Sequence, residues 1–118
     1  IGAFRGFAPC VELIDSISVR AVSVISVMEL IYGARNKEAL QQTHSFLEAG
    51  DFAVLPVSET ASFAAAGLLE TVTLRNHVEI ADCLIAASAL EYDVPLVTGN
   101  AKHFKVFEEL QVEVFRPL

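Results

Sequence analysis

The chain is short of basic residues. Against 15 Asp and Glu it carries 8 Lys and Arg, a formal net charge of −7 over 118 residues. Non-specific nucleic-acid affinity comes mostly from neutralising phosphates. This balance therefore opposes broad electrostatic binding and leaves any nucleic-acid chemistry to a local site built around a metal. Cysteine is equally scarce. Cys10 and Cys83 belong to no CxxC or Cys/His cluster, which argues against structural zinc and reads both as reduced packing residues. No run reaches the roughly 18 apolar residues that a membrane span requires. No basic segment leads into an apolar stretch and a small-residue cleavage site, so nothing marks the chain for export. The expectation is a soluble, cytoplasmic protein. A glycine-rich phosphate loop is missing too, as are repeats, linkers and low-complexity segments.

What is present suits one globular domain: 53% hydrophobic residues in a length typical of single domains. Pro9 to Ile17 reads as a short helix, and "VRAVSVI" at 19 to 25 as a strand buried on both faces. A helix is expected from Ser26, with Val27, Leu30, Ile31 and Ala34 as its inward stripe. Lys37 to Ala49 reads as a second helix, stopped by Gly50 at C′. "FAVLPV" at 52 to 57 is a strand, and Ser58-Glu59 opens an Ala-rich helix to about Arg75 with Ala64, Leu68 and Val72 in register. Residues 80 to 91 form a helix that is apolar almost all round, "PLVT" at 95 to 98 is a strand, and "VEVF" at 112 to 115 another. Strands alternating with helices imply a mostly parallel α/β sheet.

In such sheets ligands collect beyond the carboxyl ends of the strands. One strand leads to Ser26 and Glu29, another to Thr98 and Asn100, and Asp82 opens the helix before the latter. Oxygen ligands of this kind favour Mg²⁺ or Mn²⁺ over zinc, and such a metal would support phosphodiester hydrolysis. Plainer readings compete. Glu29 stands at S-x-x-E spacing from Ser26, as in a capping box. Asp82 lies in a first helical turn, where the helix dipole favours an anion. Asn100 could be a turn residue.

"VSVISVMELIYGARN", "HVEIADCLIAASALEYDVPLVTGNAKHF" and "LQVEVF" resemble PIN-domain ribonucleases of the VapC toxin type, in register over nearly the whole chain. The resemblance implies a Rossmann-like α/β/α fold and Mg²⁺- or Mn²⁺-dependent endoribonuclease action on RNA. It also implies a cognate antitoxin as partner and a homodimer. Glu29 matches the family's second acid, Asp82 its third, Asn100 the fourth position, and Thr98 the hydroxyl before it. The family's first acid lies in a D-T-x-x-L-I segment at the end of the central strand. This chain opens at "IGAFRG", which resembles the text just after that segment, so the strand and its acid are expected to lie outside this sequence, in preference to a chain that departs from the fold at its centre.

Arg5, Arg35, Lys37, Lys102 and Lys105 flank the expected crevice in sequence and are candidate RNA contacts. His103 is read as a packing or surface residue in preference to a general base. The "SFAAAGLL" helix is read as core, with a partner surface as the other option. The rival to the nuclease is a catalytically silent PIN-like module that binds an antitoxin or dimerises. An unrelated domain handling a small anion ranks last, for want of a phosphate loop.

Overall fold

The computed structural model describes residues 3–5 and 20–114. The helix expected over Pro9 to Ile17, Cys10 and the final Phe115 of the last strand lie outside them. Five strands, β1 (Ala3–Arg5), β2 (Arg20–Ser23), β3 (Ala53–Leu55), β4 (Leu96–Thr98) and β5 (Val112–Val114), form one sheet in the order β3-β2-β1-β4-β5. Every pairing is parallel. Helices α1 (Val24–Gly33), α2 (Lys37–Ala49), α3 (Glu59–Val72), α4 (Ile80–Glu91) and α5 (Ala101–Phe104) fill the connections. The chain steps outward one way through β2 and β3, then returns to build β4 and β5 on the other side of β1. Right-handed crossovers in opposite directions put helices on both faces, which gives the α/β/α sandwich. No helix among the described residues is long and apolar enough to cross a membrane.

One expectation is corrected. The middle of the sheet is filled: Ala3–Arg5 pairs with β2 on one side and β4 on the other. Three residues are too few for hydrophobic periodicity to register, so a strand this short leaves little trace in sequence. It ends at Arg5.

The core lies between α3, α4, β4 and the chain after α5. Cys83, Ile85, Ala86, Ala87 and Ala89 of α4 are almost fully buried, as are Leu96 and Val97 of β4, with Phe104, Phe107 and Leu110 closing one end. Burying a side chain such as Ile85 contributes about 1.5–3 kcal/mol. Along α3 the buried stripe is Ala61, Ala65 and Val72, with Leu68 half-buried and Ala64 outside. The sequence reading placed Ala64 inward because consecutive alanines offer no contrast by which to set the phase. The "SFAAAGLL" segment thus buries one face and exposes Phe63 on another.

Side-chain caps set the helix starts. Ser23 accepts the Ile25 N–H, Asn36 accepts that of Ala39, and Ser58 accepts that of Ala61. Ser58 also donates to Glu91, tying the start of α3 to the end of α4. Helices α2 and α4 both end in Schellman motifs. The Phe52 and Asp51 N–H groups donate to the carbonyls of Leu47 and Glu48, and those of Val94 and Asp93 to Ala89 and Leu90. The left-handed residues are Asp51 (φ 53°) and Asp93 (φ 52°). Gly50, expected to be that residue, is the C-cap at φ −80°. It is needed for space: a Cβ there would meet the Phe52 ring at 2.5 and 2.8 Å, and that ring packs on Phe46.

Two glycine substitutions should therefore act in opposite directions in urea unfolding. Gly50→Ala should cost about 1–3 kcal/mol through overpacking. Gly67→Ala, within α3 and with nothing within 4 Å of the added methyl, should stabilise by about 0.5–1 kcal/mol.

Candidate active site

The strand order reverses at β1, and in open parallel sheets the crevice beyond the strand ends at that point is the usual ligand site. α1 leaves the carboxyl end of β2 directly. Its cap is Ser23 and it begins at Val24, two residues earlier than expected. Ser26 is therefore a buried first-turn residue, and Glu29 sits at the sixth helical position, too deep to close a capping box. The capping-box reading of Glu29 falls with that shift, while its exposure still fits a solvated side chain. α4 precedes β4, and its first turn holds Asp82 behind the N-cap Glu79, whose side chain makes no capping bond. α1 packs against both β2 and α4, which brings Glu29 and Asp82 within electrostatic reach of each other.

Asp82 is 8% exposed. Among the described residues, the polar group recorded against its carboxylate is His103, with Nδ1 3.6 Å from Oδ2. A buried carboxylate without hydrogen-bond donors is costly, and the titration of Asp82 reflects it. Burial is the main cause that raises the Asp82 carboxyl above its ordinary range; the His103 ring partly offsets this, and Glu79 adds to it. Glu29 is more open but is also raised, first by burial, then by the negative charges of Asp82 and Glu79, with His103 again opposing. The Cys83 thiol is pushed up by burial and by Asp82. It is free and buried, a packing residue as expected.

Thr98 ends β4 almost fully buried, and its hydroxyl accepts the Asn100 N–H at 3.0 Å. That bond closes the turn into α5 and leaves Asn100 as its exposed N-cap, with a side chain free of any capping bond. Thr98 thus shapes the turn, and Asn100 is the residue it presents. Lys102, His103 and Lys105 follow on or just after α5, all exposed. Arg35 and Lys37 lie past the far end of α1, about 15 Å along a ten-residue helix from the strand end. Nearness to Glu29 in sequence does not carry them to the crevice. The side chain of Arg5 lies outside the described set.

One contributor was not singled out in sequence and another was read only as a packing or surface residue. Glu79 acts on both acids; its position three residues before Asp82 puts the two on one helical face. His103 was taken for a packing or surface residue, and nothing local in sequence ties it to Asp82.

Glu29, Asp82 and Asn100 offer hard oxygen donors, and a buried acid poor in donors fits a divalent cation. Among the described residues no three His, Cys, Asp or Glu side chains converge closely enough to hold a metal ion. The two acids would therefore be joined by Asn100, water or a further ligand.

Comparison with known proteins bears on the family and the fold. The PIN domain family matches residues 5–110. The Mycobacterium tuberculosis protein Ribonuclease VapC10 is 34% identical over 92 residues, 77% of this chain and 67% of that protein. The crystal structure of VapBC2 from Rickettsia felis, bound to a DNA fragment from their promoter, has a similar chain. Its TM-score is 0.72 at 27% identity, over 89% of this chain and 81% of that one. DNA-bound VapBC from Salmonella typhimurium shares the fold, with a TM-score of 0.75 at 21% identity over 97% and 98% of the two chains. The fold, the switch-point acids and the match across the sequence make one case: this chain belongs to the PIN domain family, in its VapC branch.

Proposed function

We propose that the protein is a divalent-metal-dependent endoribonuclease, the toxin of a toxin–antitoxin pair, acting in the cytoplasm. The observation that carries this reading is the pairing of Glu29 and Asp82 beyond the strand ends, with both carboxyls raised by burial and by like charge. The chain's own relatives, among them a VapC ribonuclease, point the same way.

In this reading Glu29 and Asp82 hold Mg²⁺ or Mn²⁺, with Asn100 as a third oxygen donor. A cation bound there supplies positive charge against the phosphoryl oxygens and an attacking water. Thr98 fixes the turn that aims Asn100. Lys102 and Lys105, beside the crevice on the α5 segment, neutralise flanking phosphates of the RNA. The antitoxin is the natural partner, since structural relatives were solved as VapBC complexes. Its landing site would be the apolar surface of α1, where Met28, Ile31 and Tyr32 are exposed and Tyr32 is 94% so. A homodimer completes the assembly.

A second reading, a silent PIN-like module that binds an antitoxin or dimerises, is favoured by the lack of a three-ligand cluster among the described residues. One assay separates them. The wild-type protein should cleave RNA with Mg²⁺ or Mn²⁺ and not with EDTA; no cleavage under any metal supports the silent module. Asp82→Asn and Glu29→Gln should each lower the metal-dependent rate at least about 100-fold, the scale expected when a catalytic charge is lost.

The same carboxyls set a pH dependence of stability. Their folded-state titration points are raised, so the folded protein holds their protons more tightly than the unfolded chain. Their contribution is most favourable below the ordinary values of 4.5 for Glu29 and 3.8 for Asp82, and it is lost as pH rises through the raised folded values. At neutral pH in EDTA, Asp82→Asn should therefore melt at a higher temperature than wild type. Millimolar Mg²⁺ should raise the wild-type melting temperature and leave that of Asp82→Asn nearly unmoved. Calorimetry in both buffers checks both signs.

A further inference from the structure

The side chains of the turn between α3 and α4 share one open hollow of about 520 Å³, lined by Thr73, Leu74, Arg75, Asn76, His77 and Val78. That size suits a small ligand or one unit of a longer one. Acids outnumber bases 15 to 8 in the chain, yet none lines this hollow. The turn is anchored at both ends. The Thr73 N–H donates to the Leu69 carbonyl, those of Arg75 and Asn76 both donate to the carbonyl of the buried Val72, and Val78 packs against the core. Between the anchors, residues 73–77 are exposed, and among the described residues the Arg75, Asn76 and His77 side chains have no hydrogen-bond or ionic partner. A fixed backbone thus presents polar groups that the fold itself does not use.

The hollow adjoins the acid site. Val78 leads directly to Glu79, whose charge acts on both Glu29 and Asp82, and Asp82 stands in the first turn of the helix that follows. On its other flank Arg75 borders Val106 and Phe107, next in sequence to Lys105, so the turn runs beside the segment that carries Lys102 and Lys105. Glu108 and Glu109 share that border, but no ion pair joins them to Arg75 among the described residues. The chemistry of the three neighbours is specific. A guanidinium offers a fork of donors that matches phosphate oxygens, an imidazole gives a ring face for an unstacked base, and a carboxamide both donates to and accepts from a base edge. Such a set suits a nucleotide of a single strand and repels a metal ion.

We propose that residues 73–78 form an RNA subsite beside the cleaved bond, in which Arg75 holds a phosphate and His77 stacks on an unpaired base of the same strand. The proposal rests on the nuclease reading above and names the element that grips the strand beyond the two acids.

The test uses the full-length protein with saturating Mg²⁺ and an RNA oligonucleotide whose main cleavage site has been mapped. Arg75→Ala should raise KM about tenfold, the size of one charge-assisted contact, and leave kcat unchanged, because the contact is made equally in ground and transition states. The slope of log(kcat/KM) against log salt should become shallower by about 0.7, one phosphate on a single strand. Arg75→Lys should keep the wild-type slope. His77→Ala should raise KM about fivefold, and His77→Phe, which keeps a face for stacking, should bring it back. The Mg²⁺ shift in melting temperature should be that of the wild type in all four variants. Wild-type KM and salt slope in Arg75→Ala, or a fall in kcat with KM unmoved, overturn the subsite and leave the nuclease reading intact; a loss of antitoxin affinity alone makes the hollow a protein contact instead. A wild type that cleaves no RNA under any metal removes the nuclease reading and the subsite with it.

Discussion

A buried carboxylate poor in polar partners, Asp82, with the more open Glu29 within reach of its charge, is the constraint around which this site is arranged. Asp82 is buried with one polar contact, to a half-exposed imidazole, and Glu29 feels its charge directly. Left to itself such a pair would move apart or draw in water. Asp82 cannot, because its helix is not free to shift, whereas Glu29 is exposed. α4 is locked by six nearly buried residues from Cys83 to Ala89, its end is tied to α3 through Ser58 and Glu91, and the start of α1 is pinned by the Ser23 cap. The apolar core thus offsets a local destabilisation, the usual relation between a functional site and its scaffold.

The sheet explains why the pair can exist at all. In the order β3-β2-β1-β4-β5 the connections depart in opposite directions from β1, so helices on the two faces point their N-termini at one crevice. Glu29 and Asp82 come from the two halves of the chain, and neither half carries a pair of its own. The helix dipole favours an anion at Asp82, in the first turn of α4, without cancelling the cost of burial, since that carboxyl still titrates above its ordinary value. The dipole reading of Asp82 is thus true as physics and insufficient as an explanation.

Much of this was legible in the residues. The span of α2, the Ser58 cap of α3 and the three strands after α2 follow from local pattern, and Asp82 drew notice because it interrupts a helix that is otherwise apolar. What was not legible has physical causes. A three-residue strand carries no periodicity, so β1 was missed. The choice between Ser23 and Ser26 as cap depends on where β2 stops, a property of the sheet, and with it went the meaning of Glu29. Left-handed Asp51 and Asp93 were overlooked in favour of Gly50, whose role is room for Phe52. The 3.6 Å approach of His103 to Asp82 spans β4 and two turns, a contact that only the folded chain creates.

The charge balance bears on the order of events. Glu29, Glu79 and Asp82 make the mouth of the crevice negative, on a chain already at −7, so a phosphodiester approaching the empty site meets like charge. Lys102 and Lys105 on the lip cannot reverse that alone, since exposed charges are screened within about a Debye length, ~8 Å at physiological salt. Neutralisation has to come from within the site, at Glu29 and Asp82 themselves. The nuclease reading therefore implies that cation precedes RNA, and that a protein this acidic gains its hold on a polyanion only after its two acids have been occupied.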